Sequence, residues 1–107
     1  MIKINLKYNN DLIESVSIVG HANFADYGKD IVCASVSSIV ITSVNAIIRL
    51  DNDSISYDDS NGINISILKH NKVTDTLIYN MVSLLNELEV QYKKNILINK
   101  EVHSWDC

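Results

Sequence analysis

Residues Leu12–Ala34 read LIESVSIVGHANFADYGKDIVCA, and two periodicities meet inside that stretch. Leu12 to Val19 is rich in β-branched residues and predicts a strand. Gly20 ends it, and His21 stands just past the end. From Ala22 to Lys29 no periodicity survives, and Gly28 gives this segment a flexible point. Asp30 then suits a helix N-cap, because its carboxylate can accept the amide hydrogen of Cys33. The apolar pattern that follows predicts a buried helix to about Leu50, with a small, polar opposite face.

Working outward, Ile2, Ile4, Leu6 and Tyr8 alternate with polar residues and predict a half-buried strand. Asn9-Asn10-Asp11 is turn chemistry, so the first two strands form a hairpin. After the helix, Asp51-Asn52-Asp53 reads as a loop. Ile55 and Tyr57, then Ile63, Ile65 and Ile67, alternate around a turn at Asp58–Gly62 and predict a second hairpin. Thr74 or Asp75 is expected to cap a second helix, whose stripe is Leu77, Ile78, Met81, Leu84, Leu85, Leu88 and Tyr92. Lys93 and Lys94 are expected in its last turn and Asn95 at C′. Ile96 to Asn99 is read as a final strand. The order ββαββαβ predicts an α+β single domain over residues 1–107, a mixed sheet with two helices, and a C-terminal tail at 101–107.

Composition narrows the function classes. The 107 residues carry a formal charge of −4, with Lys93-Lys94 the only adjacent basic pair. Nothing there neutralises a phosphate backbone, so direct nucleic-acid binding is not expected. The first residues alternate and lack the apolar run of a signal peptide. The stretch from Ile31 to Leu50 is interrupted by serines, threonine and asparagine, which argues for a core helix and against a membrane span. A cytoplasmic, reducing compartment is therefore expected, with Cys33 and Cys107 as thiols and no disulfide between them.

The chemistry-bearing constellation is the His–loop–Cys arrangement. A cysteine in the first turn of a helix faces the positive end of the helix dipole, which favours thiolate over thiol. A neighbouring imidazole adds to this, since a thiolate–imidazolium pair stabilises both charges. First-turn amides are also expected to offer an oxyanion site. The residues alone leave a second reading open. Cys33 can be a small core residue, His21 a turn residue, Asp30 a cap and nothing more, and Asp26 and Tyr27 ordinary loop residues.

A specific pattern separates these readings. Gly20-His21, then Tyr27-Gly28-Lys29-Asp30-Ile31-Val32-Cys33-Ala34 with Ser37, and Ser43-Val44-Asn45-Ala46-Ile47-Ile48, resemble the ribosomal-processing cysteine protease family. Tyr57-Asp58-Asp59 with Gly62, and Met81-Val82-Ser83-Leu84, continue the likeness in one register over about residues 2–100. The resemblance implies a small bacterial cytoplasmic endopeptidase, usually a homodimer. Such an enzyme trims a short N-terminal extension from a large-subunit ribosomal protein precursor. By motif it implies Cys33 as nucleophile and His21 as general base and acid. The segment Ala22, Asn23, Phe24, Ala25, Asp26, Tyr27, Gly28 and Lys29 would be the substrate loop. From their positions, Asp30, chiefly a helix cap, and Ser37, four residues after Cys33, are candidate supporting residues, Asp30 as a third member that orients His21. Ser37 either shapes the pocket or bonds back to the helix. The tail from Glu101 to Cys107 extends past the family's usual end, and residues 22–27 follow the family loosely.

A rival reading from another class is a non-catalytic peptide-binding or ribosome-assembly module in which Cys33 packs. His103 and Cys107 could mimic a second dyad, but a chain terminus is poorly suited to preorganised chemistry. No metal site and no cofactor are expected, because His21, His70, His103 and the cysteines lack paired ligand spacing.

Overall fold

The computed structural model describes residues 1–21, 25 and 30–103, and of His103 only the main chain. The elements run β1 (Ile2–Asn9), β2 (Leu12–Val19), α1 (Ile31–Leu50), β3 (Ile55–Asp58), β4 (Ile63–Ile67), α2 (Lys72–Gln91) and β5 (Ile96–His103). This is the expected ββαββαβ order. The strands form one five-stranded mixed sheet of order β3-β4-β2-β1-β5, in which only the β1–β5 pair is parallel.

Alternation decides which face of the sheet is covered. Ile2, Ile4 and Leu6 are buried on β1, whereas Lys3, Asn5 and Lys7 between them are exposed. Strand register carries the same division across the sheet, since paired residues share a face. Asn64, Ser17, Asn5 and Asn99 thus form a polar row on the open side. Across the core face, Ile4, Leu6, Val16, Ile65 and Ile96 pack with Val36 and Val40 of α1 and Met81 and Leu85 of α2. The result is two layers, with both helices on one face of the sheet. The β1–β2 hairpin turns at Asn10, which takes φ 56°, a value asparagine tolerates better than most residues. A bulge follows: Lys7 pairs with Ser15 but Tyr8 with Ile13, leaving Glu14 as the extra residue.

Three boundaries differ from the sequence expectation. The cap of α2 is Asn71, whose side chain accepts the Thr74 amide at 2.9 Å; Thr74 lies inside the helix and is buried. At its other end α2 stops at Gln91, so Lys93 and Lys94 fall in the following turn and not in the last helical turn. Asn95 lies in that same turn and passes its carbonyl to the amide of Ile2 at 2.8 Å. Finally, β5 continues past Asn99 to His103, because β1 offers a pairing partner for every residue from Ile2 to Asn9. Residues 101–103 of the expected tail are therefore strand, and 104–107 lie outside the described residues.

The helix α1 is long and apolar enough to cross a membrane by length and composition, with a mean hydropathy of 2.1. One stripe of it, Val32, Val36, Val40, Val44 and Ile47, is buried in the protein core. The opposite stripe is exposed, so the helix is half-buried and not enclosed. No charged residue occurs from Ile31 to Ile48.

Candidate active site

Two elements end at the site. His21 is exposed and follows Gly20 directly beyond β2. Cys33 is the third residue of α1, partly buried and packed against the core cluster. Residues 22–30 separate them in the chain, between the end of β2 and the start of α1. Ala22, Asn23, Phe24, Asp26, Tyr27, Gly28 and Lys29 of the expected substrate loop lie outside the described residues. Ala25 is described and exposed.

The start of α1 is organised by Asp30. Its backbone is extended, at φ −83° and ψ 99°, and its Oδ1 accepts the amides of Val32 and Cys33, each at 3.0 Å. Its other carboxylate oxygen receives a long contact from the Ala25 amide at 3.5 Å. Its carbonyl accepts the Ala34 amide at 3.1 Å. The expected cap is thus present, and it carries a consequence for the expected oxyanion site. The amides of Val32, Cys33 and Ala34 all donate to Asp30, so these three first-turn donors are engaged and do not point at a ligand. What the helix start retains for an anion beside Cys33 is the positive end of its dipole, partly offset by the capping carboxylate.

Ser37 lies one helical turn after Cys33 and is exposed. Back-bonding to the helix carbonyls belongs to other serines: Ser35 Oγ donates to the Ile31 carbonyl and Ser43 Oγ to the Ile39 carbonyl, each at 2.7 Å. Sequence reasoning did not single out Gly62, whose contact with β2 bears on this same end of the sheet. Its signals were its place at the end of the Asp58–Gly62 turn and the likeness that included it. Among the described residues no group of three or more His, Cys, Asp and Glu side chains could hold a metal ion. A concavity of about 540 Å³ lies on the open polar face beside Asn5, Lys7, Ser17, Asn64 and Asn99. Its lining holds no cysteine or histidine, so the chemistry is sought at Cys33 and not in that hollow.

Comparison with known proteins decides between a peptidase and a non-catalytic module. The family model described as cysteine protease Prp matches residues 1–97. The chain belongs to the Prp family of cysteine proteases. The ribosomal processing cysteine protease Prp of Staphylococcus aureus strain Mu50 is 36% identical over 104 residues, covering 92% of this chain and 98% of that protein. The Prp of Mycoplasma genitalium is 31% identical over 104 residues, covering 94% and 97%. Among solved structures, that of the S. aureus protease Prp with a covalently linked product peptide superposes with a TM-score of 0.85 at 34% identity, covering 94% of this chain and all of that one. The expected fold and the expected family are both correct, and a Prp-family chain is a cysteine-type peptidase. The tail that departs from the family pattern begins near the end of the matched region.

Proposed function

We propose that this protein is the endopeptidase that trims the N-terminal extension of a large-subunit ribosomal protein precursor in the cytoplasm, with Cys33 as nucleophile and His21 as its proton partner. The observation that carries the reading is the match to the S. aureus ribosomal processing protease, which has been solved with a covalently linked product peptide. A covalent peptide adduct is the expected signature of a nucleophilic mechanism. Cys33 supports that role here: it is the described cysteine, and it stands in the first turn of a helix at one end of the sheet.

In this mechanism the precursor's extended segment lies beside the start of α1, with residues 22–29 as the substrate loop. His21 accepts the thiol proton and the Cys33 sulfur attacks the scissile carbonyl. His21 then returns the proton to the departing amine, and water hydrolyses the thioester. Asp30 keeps Cys33 in place by capping, and Ser37 borders the cleft one turn further along. The unit is the single domain 1–107, acting without metal, cofactor, nucleic acid or membrane.

The protein acts as a homodimer in this reading. Ala34, Ser38, Ile41, Asn45 and Ile48 lie at alternating spacings of four and three on the outer face of α1, where no charge opposes a second copy. The stripe is centred on Ile41, so a two-fold related helix would set the small Ala34 end against the larger Ile48 end.

The deciding experiment mixes the purified protein and its Cys33→Ala variant with the extended ribosomal precursor from the same genome, read by intact mass. Loss of the N-terminal segment with the parent protein alone is the expected result. Cleavage by both would mean another nucleophile, and tight binding without cleavage by either would favour the non-catalytic module.

A further inference from the structure

Both described glycines with positive φ press backbone against the same strand end. Gly20 sits at φ 91°, and a Cβ added there would collide with the Met1 carbonyl oxygen. Gly62 sits at φ 68°, and a Cβ there would lie 2.6 Å from the Ile18 carbonyl oxygen and 2.9 Å from Val19 Cγ1. Neither position tolerates an L side chain without a shift of main chain, because both colliding oxygens belong to the backbone.

The groups they meet are themselves held. Ile2, next to Met1, donates its amide to the Asn95 carbonyl at 2.8 Å. On either side, Val19 pairs with Lys3 of β1 and Ile18 pairs with Ile63 of β4. The last residues of β2 are therefore gripped from both neighbouring strands, at points where only glycine allows so close an approach. The next residue in the chain is His21.

We propose that Gly20 and Gly62 are positioning residues for His21, acting by fixing the end of β2 to which it is attached. The inference rests on the reading of His21 as the proton partner of Cys33. A side chain at position 20 must either push Met1 away or swing the end of β2, and the second movement carries His21 with it. Cys33 stays where it is, because its own anchor is Asp30 at the start of α1. The two halves of the dyad are thus held by independent devices, and a glycine substitution changes their separation. A misplacement of about 1 Å in a catalytic group costs on the order of a hundredfold in rate.

The test compares Gly20→Ala, Gly62→Ala and a chemically synthesised chain carrying D-alanine at position 20, all full-length. D-alanine favours positive φ and turns its methyl group away from Met1. Readouts are kcat and KM on the extended precursor peptide, with the melting curve as a check of folding. Expected is a fall in kcat of about ten- to a hundredfold for both L-alanine variants, with KM within about threefold. The D-alanine chain should recover kcat to within about threefold of the parent. A folded Gly20→Ala protein with undiminished kcat, or a D-alanine chain as impaired as the L form, overturns the proposal. Should Gly20→Ala not fold, kcat of Gly62→Ala decides by the same criterion. His21→Ala is assayed in parallel. Full activity in that variant overturns the dyad reading and the positioning idea with it. An inactive His21→Ala beside a fully active Gly20→Ala overturns the positioning idea alone.

Discussion

The carboxylate of Asp30 accepts the amide of Cys33 at 3.0 Å, so the residue that starts α1 also holds the main chain of the proposed nucleophile. The same oxygen takes the Val32 amide, which makes Asp30 a double cap. Removing it leaves two first-turn donors without their acceptor. Asp30→Ala is expected to lower stability by about 1 kcal/mol, as for other helix caps. Asp30→Asn retains an acceptor and should lose less. Urea unfolding of the three proteins checks the order. Turnover should follow it, since a frayed first turn moves Cys33.

Labelling by iodoacetamide separates a reactive thiol from a packed one. Cys33 is expected to be alkylated in the folded protein, and occupation of the site by an extended precursor peptide should slow that reaction. Peptide mapping by mass spectrometry reads the modified residue. A thiol that reacts only after denaturation would return Cys33 to the role of a core residue.

Burial pushes the hydroxyl of Tyr8 above its ordinary value of 10.0, with Tyr79 beside it adding to the shift. A raised value in the folded state means that the unfolded chain loses its proton first as pH rises. The associated stability is thus complete below pH 10 and falls away as pH climbs through the folded value. Melting temperatures between about pH 8 and pH 11 should decline less steeply in Tyr8→Phe than in the parent. Tyr57 is raised by burial, with Asp59 adding to the shift, and contributes in the same direction. Identical slopes for parent and variant would show that Tyr8 carries none of the alkaline loss.

Leu85 is fully buried where α2 meets the sheet, within the cluster that also holds Ile4 and Val40. Leu85→Ala should cost about 2–5 kcal/mol, the range for cavities left by large-to-small changes. An equilibrium unfolding curve measures this directly. Leu84, its neighbour, is exposed, and Leu84→Ala should cost under about 1 kcal/mol. The contrast checks which side of α2 faces inward.

Much of the architecture was legible because its signals are local. Ile2, Ile4 and Leu6 alternate, and the stripe through Ile78, Met81 and Leu85 repeats at helical spacing. Asp30 stands where a cap must. The boundaries that failed were those set at a distance. Asn71 and Thr74 are both plausible caps by type, and only the seating of Thr74 in the core excludes it from the helix start. The length of β5 depends on how far β1 offers pairing partners, a relation across more than ninety residues. The first-turn amides expected to hold an oxyanion were misread for a related reason: a cap and an anion compete for the same amides, and sequence position does not say which one holds them.

For the candidate site the division is similar. From the chain of residue types alone came the order of elements, the placement of His21 after a strand and Cys33 in a first helical turn, and a family likeness that comparison then established. Those follow from periodicity and motif, which act over a few residues. Only the tertiary structure placed Gly20 against Met1, Gly62 against Ile18, and β5 parallel to β1. Such contacts join segments far apart in the chain, and their geometry is decided by which backbones can approach when the hydrophobic faces close on one core.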